Sequence, residues 1–373
     1  MTATLSPDQV IKGISTNLPS LSQSVNFIEA EQHFIQLLNL ENLDQEISIN
    51  PELVEPFEAP LNTALLRAYT ENFENNDINL ARLFLQRILY RINRLNLFWY
   101  DDLKHYSNER SYYKNWVRDR IEEVWQTWEN AQFDLEEYKQ QDIKQALNER
   151  SEVDLNPAIS ENKYYLRHEM TLEGYKHLLA IASLDGLVEA SRMSRILGGA
   201  SNEVQATLIL VLLEEYGNGH LHRKHSTFFA QMMAELGLET EPEAYFNRVP
   251  WEVLASINHN FLLTECKRYF LRYNGGLTYF EIAGPAIYTD YKLAAERLKL
   301  SDPAMGYWAL HIREDERHGR WMLDKVALPL VDRYPNDAWQ ILLGYDQEKW
   351  MGDRAGDAVI KAVKQAEKSV SNS

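Results

Sequence analysis

The chain has 373 residues, 45% of them hydrophobic, a formal net charge of -17 at pH 7 and a single cysteine, Cys266. That length allows two domains with sizeable cores, the acidic balance excludes a nucleic-acid or anionic-membrane binder held by charge, and one cysteine excludes an intrachain disulfide and fits a reducing compartment. The start "MTATLSPDQV" lacks a basic, apolar leader and the longest apolar stretch, Ala206 to Leu213, is too short to span a bilayer, so a cytoplasmic protein without membrane contact is expected.

Apolar residues recur at three and four along almost the whole chain, the helical period, and strand-like alternation is nearly absent. An all-α fold is expected. "INLARLFLQRILYRINRLNLFWYDDL" reads as one helix, and "NWVRDRIEEVWQTWENAQFDLEEYKQQDIKQALNE" as another. The segment "RSEVDLNPAISEN" then gathers Ser, Asp, Asn and Pro, which punctuate helices. It divides the chain into a helical packing or dimerisation domain, 1–155, and a second helical domain, 156–373. The first is rich in Tyr, Trp and Leu, holds none of the ligand-like clusters, and is expected to form a homodimer. In the second, a helix from about Thr171 to Leu197 is expected to stop at Gly198-Gly199. Ser201-Asn202 cap "EVQATLILVLLEEY". A helix near 250–273 ends at Asn274-Gly275-Gly276, and the next runs from about Leu277 to Leu298. Ser301 caps the helix that follows, with Pro303 in its first turn.

That last helix contains "HIREDERH". Steps of four and three residues return to one helix face, so His311, Asp315 and His318 point into one small volume, a donor set suited to a first-row transition metal. The competing reading is a solvated salt-bridge face, because Arg313, Glu314, Glu316 and Arg317 are interleaved. Further donors lie upstream. Glu189 sits among Leu187, Val188 and Ala190, although Asp185 and Glu189 could share one exposed stripe. Glu215 ends an almost wholly apolar helix, where a carboxylate needs a partner; the alternative is that Glu214 or Glu215 is an exposed helix end. In "GNGHLHRKH" the glycines break the helix and could bring His225 to Glu215. His220 and His222 are expected in solvent, and His225, which precedes "STFF", inward. Glu281 sits amid apolar and aromatic residues, four before Pro285, whose missing N–H frees the Glu281 carbonyl and kinks the axis.

Glu189, Glu215, Glu281 and Asp315 carry four negative charges, enough to balance two divalent cations, and His225, His311 and His318 add three neutral nitrogens. Carboxylate and imidazole donors without thiolate suit iron or manganese; a closed zinc site takes four ligands, fewer than this set offers. The ferritin-like bundles use Glu-x-x-His pairs, and none of the ten histidines has Glu three residues before it.

Glu215 with its "EEYGNG" turn, His225 in "HSTFF", Glu281 and His311-x3-Asp315-x2-His318 together resemble the haem-oxygenase-like diiron oxidases, also described as iron-containing redox enzymes. The resemblance covers roughly residues 165–330 and agrees in spacing, residue type and helix context. It implies a haem-oxygenase-like helical bundle without haem, two iron ions cycling between Fe2+ and Fe3+, O2 as co-substrate, and an external electron donor. Glu215, His225, Glu281 and His318 would hold one iron, and Glu189, His311 and Asp315 the other, with a Glu bridging. The N-terminal part resembles the dimerisation region of the N-nitrosourea-forming branch. That branch adds a C-terminal cupin; with about fifty residues after His318, no cupin is expected here. Members N-oxygenate amines or guanidines, fragment or desaturate amino acids, or decarboxylate fatty acids. The two-domain layout and Glu189 tilt the expectation towards N-oxygenation of a small amine or amino acid. The competing classes are a haem-binding protein, a metal-free thiaminase-like enzyme with Cys266 as nucleophile, and a non-catalytic helical partner protein.

Overall fold

The computed structural model describes residues 25–69, 76–99, 103–199 and 202–371. The readings of the first ten residues, of the Ser201 cap and of 100–102 as helix fall outside them. The described residues contain helices and no strand, and no described helix is long and apolar enough to cross a membrane. They form two compact units that meet in sequence between Asp134 and Leu135.

The first unit comprises α1 (Phe27–Leu38), α2 (Leu43–Ile49), α3 (Glu55–Ala68), α4 (Asn76–Leu97) and α5 (Tyr112–Asn130). Phe34 and Phe57 stack at 4.5 Å between α1 and α3. The buried Glu31 on α1 is matched by Arg87 and Arg91 of α4, each at 2.6 Å. That pairing satisfies a carboxylate that burial alone would penalise.

The second unit comprises α6 (Leu135–Gln140), α7 (Ile143–Leu155), α8 (Glu161–His168), α9 (Leu172–Gly186), α10 (Glu203–Glu215), α11 (His225–Glu235), α12 (Trp251–Glu265), α13 (Phe270–Arg297), α14 (Gly306–Trp321), α15 (Leu328–Arg333) and α16 (Trp339–Ser371). The long α13 is its centre, packed most extensively on α14 and α16. The pattern read as one helix from Asn115 to Glu149 is split among α5, α6 and α7. Asp142 caps the last of these, its side chain accepting from the Gln145 N–H. The polar break after Leu155 separates α7 from α8, yet α6 and α7 pack on α16 and α13. Tyr138 and Arg150 both bond Asp346, at 2.8 Å each.

Two glycine signals carry a different meaning from the one their sequence suggests. Asn274-Gly275-Gly276 does not end a helix; α13 runs through it, and the break falls earlier, at Cys266. The glycines are there for packing: a Cβ on Gly275 would lie 1.9 Å from the Ile341 carbonyl oxygen of α16. Likewise the helix expected to reach Leu197 ends at Gly186, and the chain turns through Ala190, whose φ is 61°. Asn202 does cap α10, accepting from the Gln205 N–H. Ser301 precedes a single 3-10 turn, Asp302–Met305, and bonds Glu235 at 2.7 Å rather than capping α14.

Candidate metal centre

The site assembles from four elements, each placing its side chains through a local feature. α14 presents His311, Asp315 and His318 on its inner face, with relative exposures of 2%, 1% and 0%. Its outer face carries the ion pairs: Arg313 bonds Glu314 at 2.9 Å, and Arg317 bonds Glu214 at 2.6 Å. Both readings of "HIREDERH" therefore hold, one for each side of the helix. α13 brings Glu281 beside this face because glycines let the two helices approach. A Cβ on Gly319 would lie 2.9 Å from the Glu281 carbonyl oxygen, and one on Gly284 would lie 2.9 Å from Asp315 Oδ2.

Glu215 ends α10 and His225 begins α11. Between them Gly217, Asn218 and Gly219 have φ of 61°, 54° and 81°, a left-handed path that side-chain-bearing residues resist. A Cβ on Gly217 would also lie 2.5 Å from the Arg223 carbonyl carbon. This turn closes the pair: His225 Nδ1 is 2.8 Å from Glu215 Oε2. His220 and His222 are exposed, as their positions suggest. Glu189 comes from the turn after α9, next to the strained Ala190.

Within the site, donor atoms of Glu189, Glu215, His225 and His311 lie within 4.8 Å of one another, and so do those of Glu215, Asp315 and His318. Glu215 belongs to both groups. His311 Nε2 is 3.0 Å from Glu189 Oε1 and 3.1 Å from His225 Nδ1. His318 Nδ1 is 3.4 Å from Glu281 Oε2 and 3.5 Å from Glu215 Oε1. The seven candidate ligands thus converge, but in a different partition. His225 stands with His311 and Glu189, and Asp315 with His318. A helix turn separates His311 from Asp315 and His318 along α14, which is why one helix feeds both groups.

Neighbours that the sequence did not single out orient the imidazoles. His311 Nδ1 lies 3.0 Å from the Tyr307 carbonyl oxygen. That atom can only accept, so Nδ1 holds the proton and Nε2 is left as donor to the site. His318 Nε2 faces Glu214 at 2.8 Å, and Glu214 is held in turn by Arg317. The Tyr307 hydroxyl donates to Glu189 Oε1 at 2.6 Å. Tyr307 precedes His311 by one helical turn, a spacing that could have marked it; Glu214 was hidden beside a more apolar-flanked neighbour.

Iron and manganese fit this donor set on the molecule's own evidence. Both Asp315 carboxylate oxygens, Glu189 Oε2 and His318 Nδ1 are buried without a hydrogen-bond partner, which is costly unless something else satisfies them. The electrostatics of the buried groups agree. Burial drives the Asp315 carboxyl well above the usual carboxylate range, with His311 opposing and Glu281 and Glu215 adding repulsion. Burial likewise raises Glu215, against the pull of His225. Burial opposes a charged His311, but Glu189 and Asp315 outweigh it and lift that imidazole well above its ordinary value. His318 is pushed up to about 9, burial being overcome by Glu281 and Glu215. Glu189 is held low, because His311 outweighs its burial. Protons here stand where cations would neutralise the carboxylates.

Glu189, Glu215, Glu281, His311 and Asp315 border a cavity of about 120 Å³, also lined by Asp185, Arg192, Asn260, Tyr273 and Glu348. Cys266 does not line it.

Comparison with known proteins gives two matches. Residues 176–348, a span that includes every candidate ligand, match the family described as iron-containing redox enzyme. Over 154 residues the chain is 31% identical to nitrosourea synthase of Streptomyces achromogenes subsp. streptozoticus. That match covers 40% of this chain and 32% of the relative, so the chain spans about a third of the relative's length.

Proposed function

We propose that the chain, whose residues 176–348 match the family described as iron-containing redox enzyme, is an O2-dependent non-haem diiron oxidase or oxygenase acting on a small amine or amino-acid-like substrate. The observation that carries this reading is the pair of buried donor groups sharing Glu215. Glu189, His225 and His311 would hold one iron, and Asp315, His318 and Glu281 the other, with Glu215 between them. Bound iron would supply the redox chemistry that lets O2 oxidise an organic substrate, with electrons from an external donor.

The chain's own residues prepare that chemistry. Tyr307 fixes His311 through its carbonyl and Glu189 through its hydroxyl. Glu214 and Arg317 fix His318. Tyr288 packs its ring 4.8 Å from that of His311, and Trp308 stacks behind Tyr288 at 5.5 Å. This apolar wall keeps water from one side of the donors. A relative named for making a nitrosourea supports nitrogen as the atom oxidised. A cavity of about 120 Å³ suits neither a porphyrin nor a long acyl chain. The position of Cys266 outside that cavity disfavours a thiaminase-like nucleophile.

Anaerobic Fe(II) titration should saturate near two ions per chain, and O2 should then give a transient visible absorption band. A chain that takes up no iron would sink this proposal.

A further inference from the structure

Beyond the candidate ligands, the cavity wall carries a second charged group. Arg192 is paired with Asp185 at 2.6 Å, and its guanidinium also lies over the Phe261 ring. Glu348, on α16, is only 8% exposed. Its hydrogen bonds run to one neutral amide, Asn260 Nδ2, at 3.3 and 3.4 Å. Gly276 lies beneath it: a Cβ there would be 3.3 Å from Glu348 Oε2, so the missing side chain leaves room for the carboxylate at the cavity wall. Burial raises the Glu348 carboxyl, with His259, Asn260 and Arg192 opposing.

Charge balance decides what this group can take. On the oxidase reading two divalent cations would neutralise Glu189, Glu215, Glu281 and Asp315. Asp185 neutralises Arg192. Glu348 then remains as a buried carboxylate on the cavity wall that, among the described residues, makes no ion pair; His259 and Arg192 oppose its burial only at longer range, an arrangement that costs free energy unless a ligand supplies the charge. The space is small. At about 120 Å³ it is below the ~150 Å³ of a cavity that holds benzene, so the ligand has a short carbon skeleton.

We propose that Glu348, steadied by Asn260, is the anchor for the cationic nitrogen of the substrate, an alkylammonium or guanidinium group on a short chain. The assignment rests on the oxidase reading above and names the residue that selects the substrate's charge. Glu348 is a specificity residue, outside both donor groups.

The test is ligand binding to iron-loaded protein without O2, so that no turnover occurs. n-Butylammonium, n-butanol and n-butyrate serve as probes of matched length and different charge, read by calorimetry and by the shift in thermal midpoint. Wild type should prefer the ammonium. Glu348→Gln should weaken it about ten- to hundredfold, the range for losing a charged hydrogen bond, with n-butanol unchanged and Glu348→Asp intermediate. Without ligand, Glu348→Gln should melt at the same or a higher temperature, because it removes an uncompensated buried charge; a structural carboxylate would instead show a lower midpoint. Equal binding of the three probes, or of n-butylammonium to wild type and Glu348→Gln, overturns the anchor. Iron uptake is measured on the same samples. Normal iron uptake with no charge preference overturns the anchor alone, whereas absent uptake overturns the oxidase reading and the anchor with it.

Discussion

Glu214 shows how one side chain beside a site can govern it. It faces His318 Nε2 at 2.8 Å and Arg317 at 2.6 Å, fixing the ring so that Nδ1 faces the interior. Replacing Glu214 with Gln should lower Fe(II) affinity about ten- to hundredfold, the usual cost of losing an outer-shell partner; anaerobic titration measures it. His318 also gives the metal-free chain a pH dependence. Its folded value of about 9 stands above its ordinary 6.5. The stabilisation is therefore full below pH 6.5 and lost as pH rises through about 9. Urea unfolding of metal-free protein should show this fall, and His318→Gln should make it shallower, with His311 and Asp315, whose values are also raised, supplying the rest. Glu215 and Glu281 were legible as candidates because each is a carboxylate in an apolar setting, where burial demands a partner, and His311, Asp315 and His318 because steps of four and three return to one helix face. Glu348, Arg192 and Asn260 were not: they sit in ordinary-looking polar runs, and only the packing of α12, α13, α16 and the 3-10 turn Ser191–Ile196 brings them to one cavity.

At the scale of elements, periodicity identified the helices and local signals misplaced several of their ends. Gly275-Gly276 reads as a terminator, yet α13 continues because α16 packs so closely there that a side chain has no room. Tertiary contact overrode propensity. Gly275→Ala should therefore destabilise the protein by about 3 kcal/mol, the upper end for overpacking against a neighbour that cannot yield. Gly198→Ala, with nothing within 4 Å of the added carbon, should stay within about 0.5 kcal/mol. Denaturant midpoints of the two variants compare them directly. α14 should respond to metal as a unit. Without cations, the buried carboxylates of Glu189, Glu215, Glu281 and Asp315 crowd its inner face. Amide exchange over 306–321 should slow markedly when Fe(II) is added, with little change in α1 to α5. Equal protection with and without metal would contradict this.

For the whole molecule, the sequence break after Leu155 and the spatial division at Asp134 lead to different fragments. α6 and α7 are tied to α16 through Tyr138, Arg150 and Asp154, the last bonding Tyr345 at 3.0 Å. A fragment of 135–373 should fold and take up Fe(II), whereas one of 156–373 should be less stable, because Asp346 and Tyr345 lose their partners; circular dichroism melts and iron titration would separate the two. The shared carboxylate has a consequence for loading. Glu215 belongs to both donor groups, and α14 supplies both. On the two-iron reading, the first ion fixes Glu215 and the helix for the second, which then meets a site already ordered. Uptake should be sigmoidal, with a Hill coefficient above one, and Glu215→Ala should turn it into independent, weaker binding.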